Sequence, residues 1–426
     1  MTTHQEPSAA SAPAAAAGCP AHRGGEETGP DGTARMHSPR FQSDPAELYR
    51  ALRREHGPVA PILLDGDIPA WLVLGYREVH YVTSNSELFA RDSRRWHAWD
   101  RIPADWPLLP YVFYTPSVLF KEGAEHQRRA GAITDVLSEV DLFELRADSE
   151  RVADALIDGF AGAGSAELMA DYAAQVPLRV VAGLFGLARE EIFDLERDMV
   201  ASLDDGPGAV EAYQRIHDCM ARLLQRGRRR PGPDVASRML AHPAGLEDEE
   251  IIQDMISIIA AGQQPTSNWI GNTLRLMLTD DRFAVTLSGG RRSVSQALNE
   301  VLWVDTPTQN FVGRWAARDT SLAGQKIRKG DCLVLGLAAA NTDPAVQPDF
   351  TAGSVGNQAH LSFSHGEHRC PVPAPEMAEV IARAAVEVLL DRLPDVMLTV
   401  PGSELQWRPS VWMRGPAALP VEFTSL

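Results

Sequence analysis

Hydrophobic residues recur along most of the chain at the spacing of three and four positions that is typical of amphipathic helices. This pattern predicts helices over residues 44–56, 124–137, 142–160, 168–185, 190–203, 209–225, 248–278, 293–304 and 376–390. Asp44 stands at the N-cap position of the first of these helices. The chain is therefore predicted to be mainly helical.

Strand-like patterns are short and lie near the two ends of the chain. Residues 59–64 and 70–75 predict two strands around the turn Asp65-Gly66-Asp67. Residues 315–322 and 331–335 predict further strands late in the sequence. Small β-sheets are therefore expected beside the helices.

Composition divides the chain into a tail and one domain. Residues 1–39 are rich in Ala, Gly, Pro, Ser and Thr, lack helical periodicity and have neither the basic start nor the apolar core of a secretion signal. They are predicted to form a disordered tail. No linker interrupts residues 40–426, which predicts a single domain, and no apolar run approaches the roughly 20 residues that span a membrane.

Charge and cysteine usage limit the partners and the compartment. The net charge of -17 argues against a nucleic-acid partner or an anionic membrane. The one strongly basic run, residues 226–230, is interpreted as a solvated loop. Cys19, Cys219, Cys332 and Cys370 show neither metal-like nor disulfide-like spacing, which favours a reducing cytoplasm.

The run 363–370, Phe-Ser-His-Gly-Glu-His-Arg-Cys, places Cys370 on a glycine-bearing loop just before a helical segment. A loop of this kind can present a thiolate to heme iron, because the amides at a helix start stabilise negative charge. The alternative is a buried core cysteine. The spacing Phe-x-x-Gly-x-His-x-Cys resembles the heme-binding signature of the cytochrome P-450 family, and its four matched positions favour the ligand.

The resemblance implies a mainly α cytochrome P-450 fold with small β-sheets over residues 40–426. It implies heme b (iron-protoporphyrin IX) as cofactor, with Cys370 as the ligand of the metal. In the family pattern His368 reaches a heme propionate and Phe363 packs beside the sulfur. Gly366 would let the loop turn close to the porphyrin.

Further propionate contacts are implied by two other segments. Family members carry His-x-x-x-Arg on a helix, and here His126 is kept while Ala130 replaces the arginine. Arg129, one residue earlier, is the candidate replacement, and an ordinary surface pair is the alternative. Arg314 resembles the strand arginine that binds a propionate through both arms of its guanidinium.

The helix 248–278 resembles the family's central helix, which crosses the distal heme face. Where relatives have Ala-Gly-x-Glu/Asp-Thr for proton relay, this chain has Ala261, Gly262, Gln263, Gln264 and Pro265, followed by Thr266. A glutamine cannot act as an acid, and a proline has neither a hydroxyl nor a backbone donor. Thr266 is displaced by about 100° around the helix axis. Gln264, Pro265 and Thr266 are the expected oxygen-site residues, and Ala261 and Gly262 are expected to contact the cofactor.

Two other family motifs are altered. The segment 300–303, Glu-Val-Leu-Trp, has Trp303 where relatives have the arginine of Glu-x-x-Arg, and no arginine lies between Arg328 and Arg369. This resembles an actinobacterial subgroup with tryptophan at that place. Apolar packing can replace a buried ion pair without loss of stability. Prolines at 371, 373 and 375 remove backbone donors from the helix start after Cys370.

An aromatic-rich segment, residues 91–115, corresponds to the family loop that roofs the substrate pocket. It holds Trp96, Trp99, Trp106, Tyr111, Phe113 and Tyr114 with little periodicity. The alternative is a loop that aromatic packing holds in place.

The resemblance implies a heme-thiolate oxidase or monooxygenase that oxidises a small organic molecule such as a natural-product precursor. A separate ferredoxin and ferredoxin reductase would supply electrons. The altered relay leaves hydroxylation, oxidative coupling and peroxide-driven chemistry open. A competing hypothesis from another class is a heme-binding sensor or scaffold that has lost catalysis.

Overall fold

The computed structural model describes residues 27–29, 31–202, 208–284, 292–348 and 356–425, and most of this chain is helical. The α-helices are α1 (Pro39–Ser43), α2 (Pro45–His56), α3 (Tyr76–Ser84), α4 (Leu109–Val112), α5 (Gly123–Ser138), α6 (Leu142–Phe160), α7 (Gln175–Leu184), α8 (Arg189–Ser202), α9 (Ala209–Arg229), α10 (Val235–Ala241), α11 (Asp248–Thr279), α12 (Asp281–Ala284), α13 (Arg292–Val304), α14 (Leu337–Asn341) and α15 (Ala374–Arg392).

The strands form one larger and two small sheets. They are β1 (Ala34–Arg35), β2 (Val59–Leu64), β3 (Ile68–Val73), β4 (Phe89–Ala90), β5 (Ser165–Glu167), β6 (Phe311–Ala316), β7 (Thr320–Leu322), β8 (Gln325–Ile327), β9 (Cys332–Leu335), β10 (Met397–Leu398) and β11 (Pro420–Glu422). The larger sheet has the order β1-β2-β3-β9-β6-β4, and the small sheets have the orders β10-β11-β5 and β7-β8. Strands from both ends of the sequence therefore meet in one sheet.

Most predicted helices are confirmed within one or two residues at their ends, and 209–225 extends four residues further. The predicted helix 168–185 is divided into a π-helical turn (Met169–Ala173) and α7. Pro177 stands in the first turn of α7 and has no N–H for the helix before it. The predicted strand 315–322 was wrong in its bounds, because β6 and β7 belong to different sheets.

The ordered chain begins before the predicted boundary at residue 40. Strand β1 pairs in parallel with β2, and Met36 is buried in the core beside it. The predicted disordered tail, 1–39, is therefore too long by at least the residues of β1 and the turn after it. Residues 1–26, which make up most of that tail, lie outside the described residues.

The basic run 226–230 is not a loop, contrary to prediction, because it completes α9. Arg226 donates two hydrogen bonds to Glu191, and Arg228 pairs with Asp248 at the start of α11. Cations in the last turn also interact favourably with the helix dipole. These arginines hold helices together.

Two large apolar clusters form the interior. The larger joins α6, α7, α9, α11, α13 and α15, and α11 runs through its centre. The other joins the larger sheet to the aromatic segment 91–115, where Trp96 lies 5.7 Å from Trp99 and 6.4 Å from Trp315 between ring centroids. Aromatic packing therefore holds this segment, while Phe113 remains 57% exposed. Among the described residues, no helix is both long enough and apolar enough to cross a membrane.

Trp303 stands at the position that the family resemblance assigns to the arginine of Glu-x-x-Arg. Its indole is buried, donates to the carbonyl of Asn357 (2.9 Å) and meets the ring of His360 edge-on at 5.9 Å. Glu300, the remaining acid of that motif, accepts a hydrogen bond from Arg282 (2.7 Å). Through its ring and its N–H, Trp303 thus contacts residues 357–360, which precede the cysteine loop, residues 363–370.

Neutral hydrogen bonds around Asn341 fasten the same chain. The Asn341 amide donates to the Leu302 carbonyl (2.9 Å) and to Ser362 Oγ (3.0 Å), and it accepts from the Leu361 N–H (2.7 Å). Ser362 Oγ donates in turn to the Leu302 carbonyl (2.6 Å). Asn341 is fully buried, so each of these bonds satisfies a group that water cannot reach.

We expect Trp303→Arg to lower the free energy of unfolding by about 2–4 kcal/mol, because it puts a cation into a site shaped for indole. Thermal and urea unfolding measure the change. Trp303→Phe is the matched control, since it keeps an uncharged aromatic ring while it loses the N–H donor to Asn357 and the second ring of the indole. A Trp303→Arg protein that melts at or above the wild-type temperature would contradict this view of the site.

Candidate active site

The cysteine loop is closed by three backbone hydrogen bonds. Cys370 N donates to Phe363 O (3.0 Å), Arg369 N to Gly366 O (3.2 Å) and Ser364 N to Leu361 O (2.7 Å). Burial raises the pKa of the Cys370 thiol to about 12. A thiolate at this position therefore needs a positive partner such as a metal ion.

Gly366 is required by packing against α3. Its φ is +76°, and a Cβ there would lie 2.1 Å from the Thr83 carbonyl oxygen at the end of α3. The positive φ is the turn expected at Gly366, and the close approach of this turn to a porphyrin stays a prediction. Ser364 also has a positive φ, +61°, and its buried hydroxyl has no described partner.

Helix α15 begins at Ala374, two residues before the predicted start. Ala374 N donates to Pro371 O (2.8 Å), and Glu376 N donates to Pro373 O (2.9 Å). Between Cys370 and Ala374, only Val372 carries an N–H, because its neighbours are prolines. Few backbone donors are therefore available to a Cys370 thiolate.

Arg314 on β6 is a buried cation with unused donors. Its Nη1 donates to Gly313 O (3.2 Å), whereas Nε and Nη2 have no described partner. Burial, and then the positive charge of Arg91, hold the pKa of Arg314 well below its usual range. A buried guanidinium in this state calls for an anion.

Arg91 is a residue that sequence reasoning missed as part of the site. It is buried directly after β4, and its guanidinium donates to the carbonyls of Leu119 (2.9 Å), Val312 (3.0 Å) and Gly313 (2.6 Å). Burial lowers its pKa to about 10. Only the tertiary structure reveals it, because the pairing of β4 with β6 brings Arg91 to the Gly313 carbonyl, to which Arg314 also donates.

His126 and His368 complete a basic group with these two arginines. Their rings lie 3.9 Å apart between centroids, and His126 Nδ1 is 3.5 Å from Glu367 Oε1. Burial, then Arg91 and Arg314, hold the pKa of His368 far below its usual range. We call these four residues the basic cluster. They come from β6, the end of β4, α5 and the cysteine loop, and their donors suit carboxylates.

Arg129 does not join the basic cluster. It is fully buried and forms a bidentate ion pair with Asp254 of α11, Nε to Oδ2 at 2.9 Å and Nη2 to Oδ1 at 2.5 Å. Its Nη1 donates to the Pro116 carbonyl (2.6 Å). The expectation that it replaces the propionate arginine missing at Ala130 is corrected, because these acceptors use its donors.

Helix α11 is uncovered in its middle. Ala261 is exposed and residues 262–265 are half-buried, whereas residues 266–274 are buried, so Gln264 and Pro265 face open space and Thr266 does not. The helix continues through Pro265, which has no N–H for the carbonyl of Ala261. One turn later Trp269 meets Phe363 at 6.0 Å, which joins α11 to the cysteine loop.

These features suit an iron porphyrin that carries two carboxylates. The cysteine loop offers a thiol, the basic cluster offers unpaired buried donors, and α11, whose Trp269 meets Phe363 of the loop, is only partly covered from Ala261 to Pro265. His360, which lies between Trp303 and Phe363, is a neutral neighbour, since burial lowers its pKa to about 4. The residues present therefore fit the cofactor that the sequence implied.

Comparisons with known proteins agree with this assignment. No protein-family model matches the sequence. The chain is 30% identical over 397 residues to the vitamin D(3) 25-hydroxylase of Pseudonocardia autotrophica, covering 91% of this chain and 95% of that protein. It is 28% identical over 379 residues to the mycinamicin IV hydroxylase/epoxidase of Micromonospora griseorubida, covering 86% and 93%.

Solved structures share the fold. CYP154C4 from Streptomyces sp. ATCC 11861 superimposes with a TM-score of 0.78 at 27% identity, over 88% of this chain and 95% of that one. The P450 monooxygenase TamI gives a TM-score of 0.78 at 25% identity, over 92% and 94%. The chain belongs to the cytochrome P450 family and is an oxidoreductase with the P450 fold. The cofactor of this family is heme.

We expect Arg314→Leu to weaken heme retention roughly tenfold or more, because it removes charge-assisted hydrogen bonds from a buried site. The measurements are the heme content of the purified protein and the rate of heme transfer to apomyoglobin. Arg53→Leu is the control, since Arg53 donates to the carbonyls of Leu74 and Ala339. Equal heme loss in both variants would show that Arg314 has no special role.

Proposed function

We propose that this protein is a heme-thiolate monooxygenase-type enzyme that oxidises a small organic molecule, a natural-product precursor. The observation that carries the proposal is the cysteine loop of Cys370, which contributes His368 to a basic cluster with unpaired donors and meets α11 through Phe363 and Trp269. The two relatives, a vitamin D(3) 25-hydroxylase and a mycinamicin IV hydroxylase/epoxidase, support a substrate of this class.

Bound heme would supply dioxygen activation at its iron. Cys370 would lose its proton and coordinate the metal, and Arg314, Arg91, His126 and His368 would bind the propionates. Phe363, whose carbonyl fixes the Cys370 amide, would form the wall beside the sulfur. A ferredoxin and a ferredoxin reductase would supply electrons, and the free thiols of the described cysteines suit the reducing cytoplasm.

Proton delivery is the step in which this chain departs from its relatives. Gln264 has an amide where a carboxyl acts as an acid, and Pro265 has no hydroxyl. Thr266 is buried away from the open stretch of α11. Protons would therefore come from water or from the substrate, and a poorly fitting substrate would let reducing equivalents escape as peroxide or superoxide.

A heme-binding sensor or scaffold is the second candidate function. The same residues, Gln264 and Pro265, favour it, because a protein that does not turn over needs no proton relay. The basic cluster and the cysteine loop serve either function. Turnover separates the two: product formed with a surrogate ferredoxin pair supports the enzyme, and heme binding without product across many substrates supports the sensor.

We expect the reduced, CO-bound protein to show the red-shifted Soret band of thiolate ligation, and Cys370→Ala to abolish it. The reason is that the other described cysteines, Cys219 and Cys332, are buried outside the cysteine loop. Cys219→Ala is the control and should keep the band. A band that survives in Cys370→Ala, or a histidine-type spectrum in the wild type, would overturn the ligand assignment.

We expect product formed per NAD(P)H consumed to be low in the wild type and to rise in Gln264→Glu/Pro265→Thr. The double change restores an acid and a hydroxyl on the uncovered side of α11. Gln263→Glu is the control, because Gln263 is directed toward the Ala174 carbonyl (3.5 Å). Tight coupling in the wild type across several substrates would show that another group already delivers the proton.

A further inference from the structure

The ion pair of Arg129 and Asp254 also binds the backbone that leads into α5. Arg129 Nη1 donates to Pro116 O (2.6 Å), and Asp254 Oδ1 accepts from Val118 N (2.7 Å). The Arg129 and Asp254 side chains are both 0% exposed. Two buried charges, one from α5 and one from α11, therefore bind the backbone on both sides of Ser117, at the Pro116 carbonyl and the Val118 N–H.

Residues 116–118 directly follow the aromatic segment 91–115, and we call them the exit of that segment; its entrance is Arg91 and Asp92. Ser117 is fully buried, and its hydroxyl accepts from Thr115 Oγ1 (3.1 Å). The exposed apolar side chains of Phe113 and Leu119 stand on either side of the held residues. The position of residues 116–118 therefore sets where these two side chains lie.

The entrance of the segment is held separately. The N–H groups of Arg91 and Asp92 both donate to Glu122 Oε1, at 3.0 and 2.8 Å, and the Arg91 side chain donates to the Leu119 carbonyl. Between entrance and exit, Trp96 and Trp106 pack into the core. The Arg129–Asp254 pair adds two side-chain hydrogen bonds to the exit, beside the Arg91 bond to the Leu119 carbonyl and the Lys121 bond to the Tyr114 hydroxyl (3.2 Å).

The joining of α5 to α11 does not by itself explain why a buried ion pair stands between them. Apolar residues of similar volume often join two helices at least as stably as a buried ion pair. They cannot accept from the Val118 N–H or donate to the Pro116 carbonyl, and buried backbone groups need such partners. The charges are thus suited to holding the loop.

We propose that Arg129 and Asp254 are positioning residues that fix the exit of segment 91–115 against α11 and thereby control ligand entry to the pocket. The proposal rests on the proposed function, since that function makes this segment the roof of the substrate pocket. Neither residue need touch substrate, because each acts through the backbone of residues 116–118. The ligand whose entry they control is the small organic substrate, and a small probe that enters the pocket by the same path should respond in the same way.

A neighbouring ion pair provides a matched control. Arg128 of α5 pairs with Glu250 of α11, and Arg128 also contacts the Ala244 carbonyl (3.4 Å). These side chains are 34% and 17% exposed. The pair joins the same two helices and has no described hydrogen bond to residues 116–118. Arg128→Met therefore removes an α5–α11 ion pair and leaves the exit of the roof segment in place.

The test compares Arg129→Leu/Asp254→Leu with Arg128→Met in the heme-loaded protein. The measurements are the melting temperature, hydrogen exchange of residues 117–120 against residues 131–137 of α5, and the association rate of imidazole followed at the Soret band. We expect the double variant to melt below the wild type, since apolar packing replaces the ion pair but leaves the Val118 N–H and the Pro116 carbonyl without their partners. Exchange at 117–120 should rise roughly tenfold or more, because two charge-assisted hydrogen bonds to the backbone are lost. Imidazole entry should become faster.

Three results would overturn the proposal. They are unchanged exchange at 117–120, an unchanged imidazole rate, or an equal change in Arg128→Met. If the double variant does not fold, Arg129→Lys keeps the charge and loses the planar fork, and it should raise exchange at 117–120 while residues 131–137 stay protected. Hydrogen exchange does not depend on turnover. Failure of the positioning role of Arg129 and Asp254 is therefore distinguishable from failure of the proposed function, which the CO spectrum and product assays report.

Discussion

Two positive charges buried side by side are the constraint on which the site depends. Arg91 Nη1 (2.6 Å) and Arg314 Nη1 (3.2 Å) both donate to the Gly313 carbonyl, and like charges this close repel each other. Arg91 satisfies its donors with backbone carbonyls, but Arg314 Nε and Nη2 remain unpaired. A bound anion resolves both the repulsion and the unpaired donors, and the carboxylates of heme are anions of the right kind. The His126 and His368 rings, which stack beside these cations, are kept neutral by the same burial and charge.

The cysteine loop is held without the ion network of most relatives. Trp303, His360, Phe363 and Trp269 form a continuous series of ring contacts at 5.9–6.0 Å from α13 through the cysteine loop to α11. Asn341 supplies the polar half of the same attachment. A neutral network avoids the desolvation cost of buried ions and still fixes a unique geometry, because every ring and amide has a specific partner. Loss of the arginine is therefore compatible with the P450 fold.

Charge that relatives place at the cofactor has a different use on α5. An arginine one residue away from the family position turns by about 100° around the helix axis, and in this chain it meets Asp254 of α11 instead of the basic cluster. Arg91 from β4 supplies the second buried guanidinium. Thus Arg91 and Arg314 of the basic cluster come from the region of the larger sheet, while α5 uses Arg129 to bind the backbone at Pro116.

The sequence by itself determined the local features. Periodicity predicted α2, α6 and α11, and the N-cap Asp44 marked the start of α2, because a helix face and an N-cap are properties of neighbouring residues. The spacing around Cys370 indicated the family, and the glycine at 366 indicated a turn with positive φ. Tertiary structure decided the partners of side chains that reach across elements: Arg129 with Asp254, Arg91 beside Arg314, and Gly366 against Thr83. These contacts join residues far apart in the chain, and sheet register and helix packing, which no local pattern encodes, bring them together.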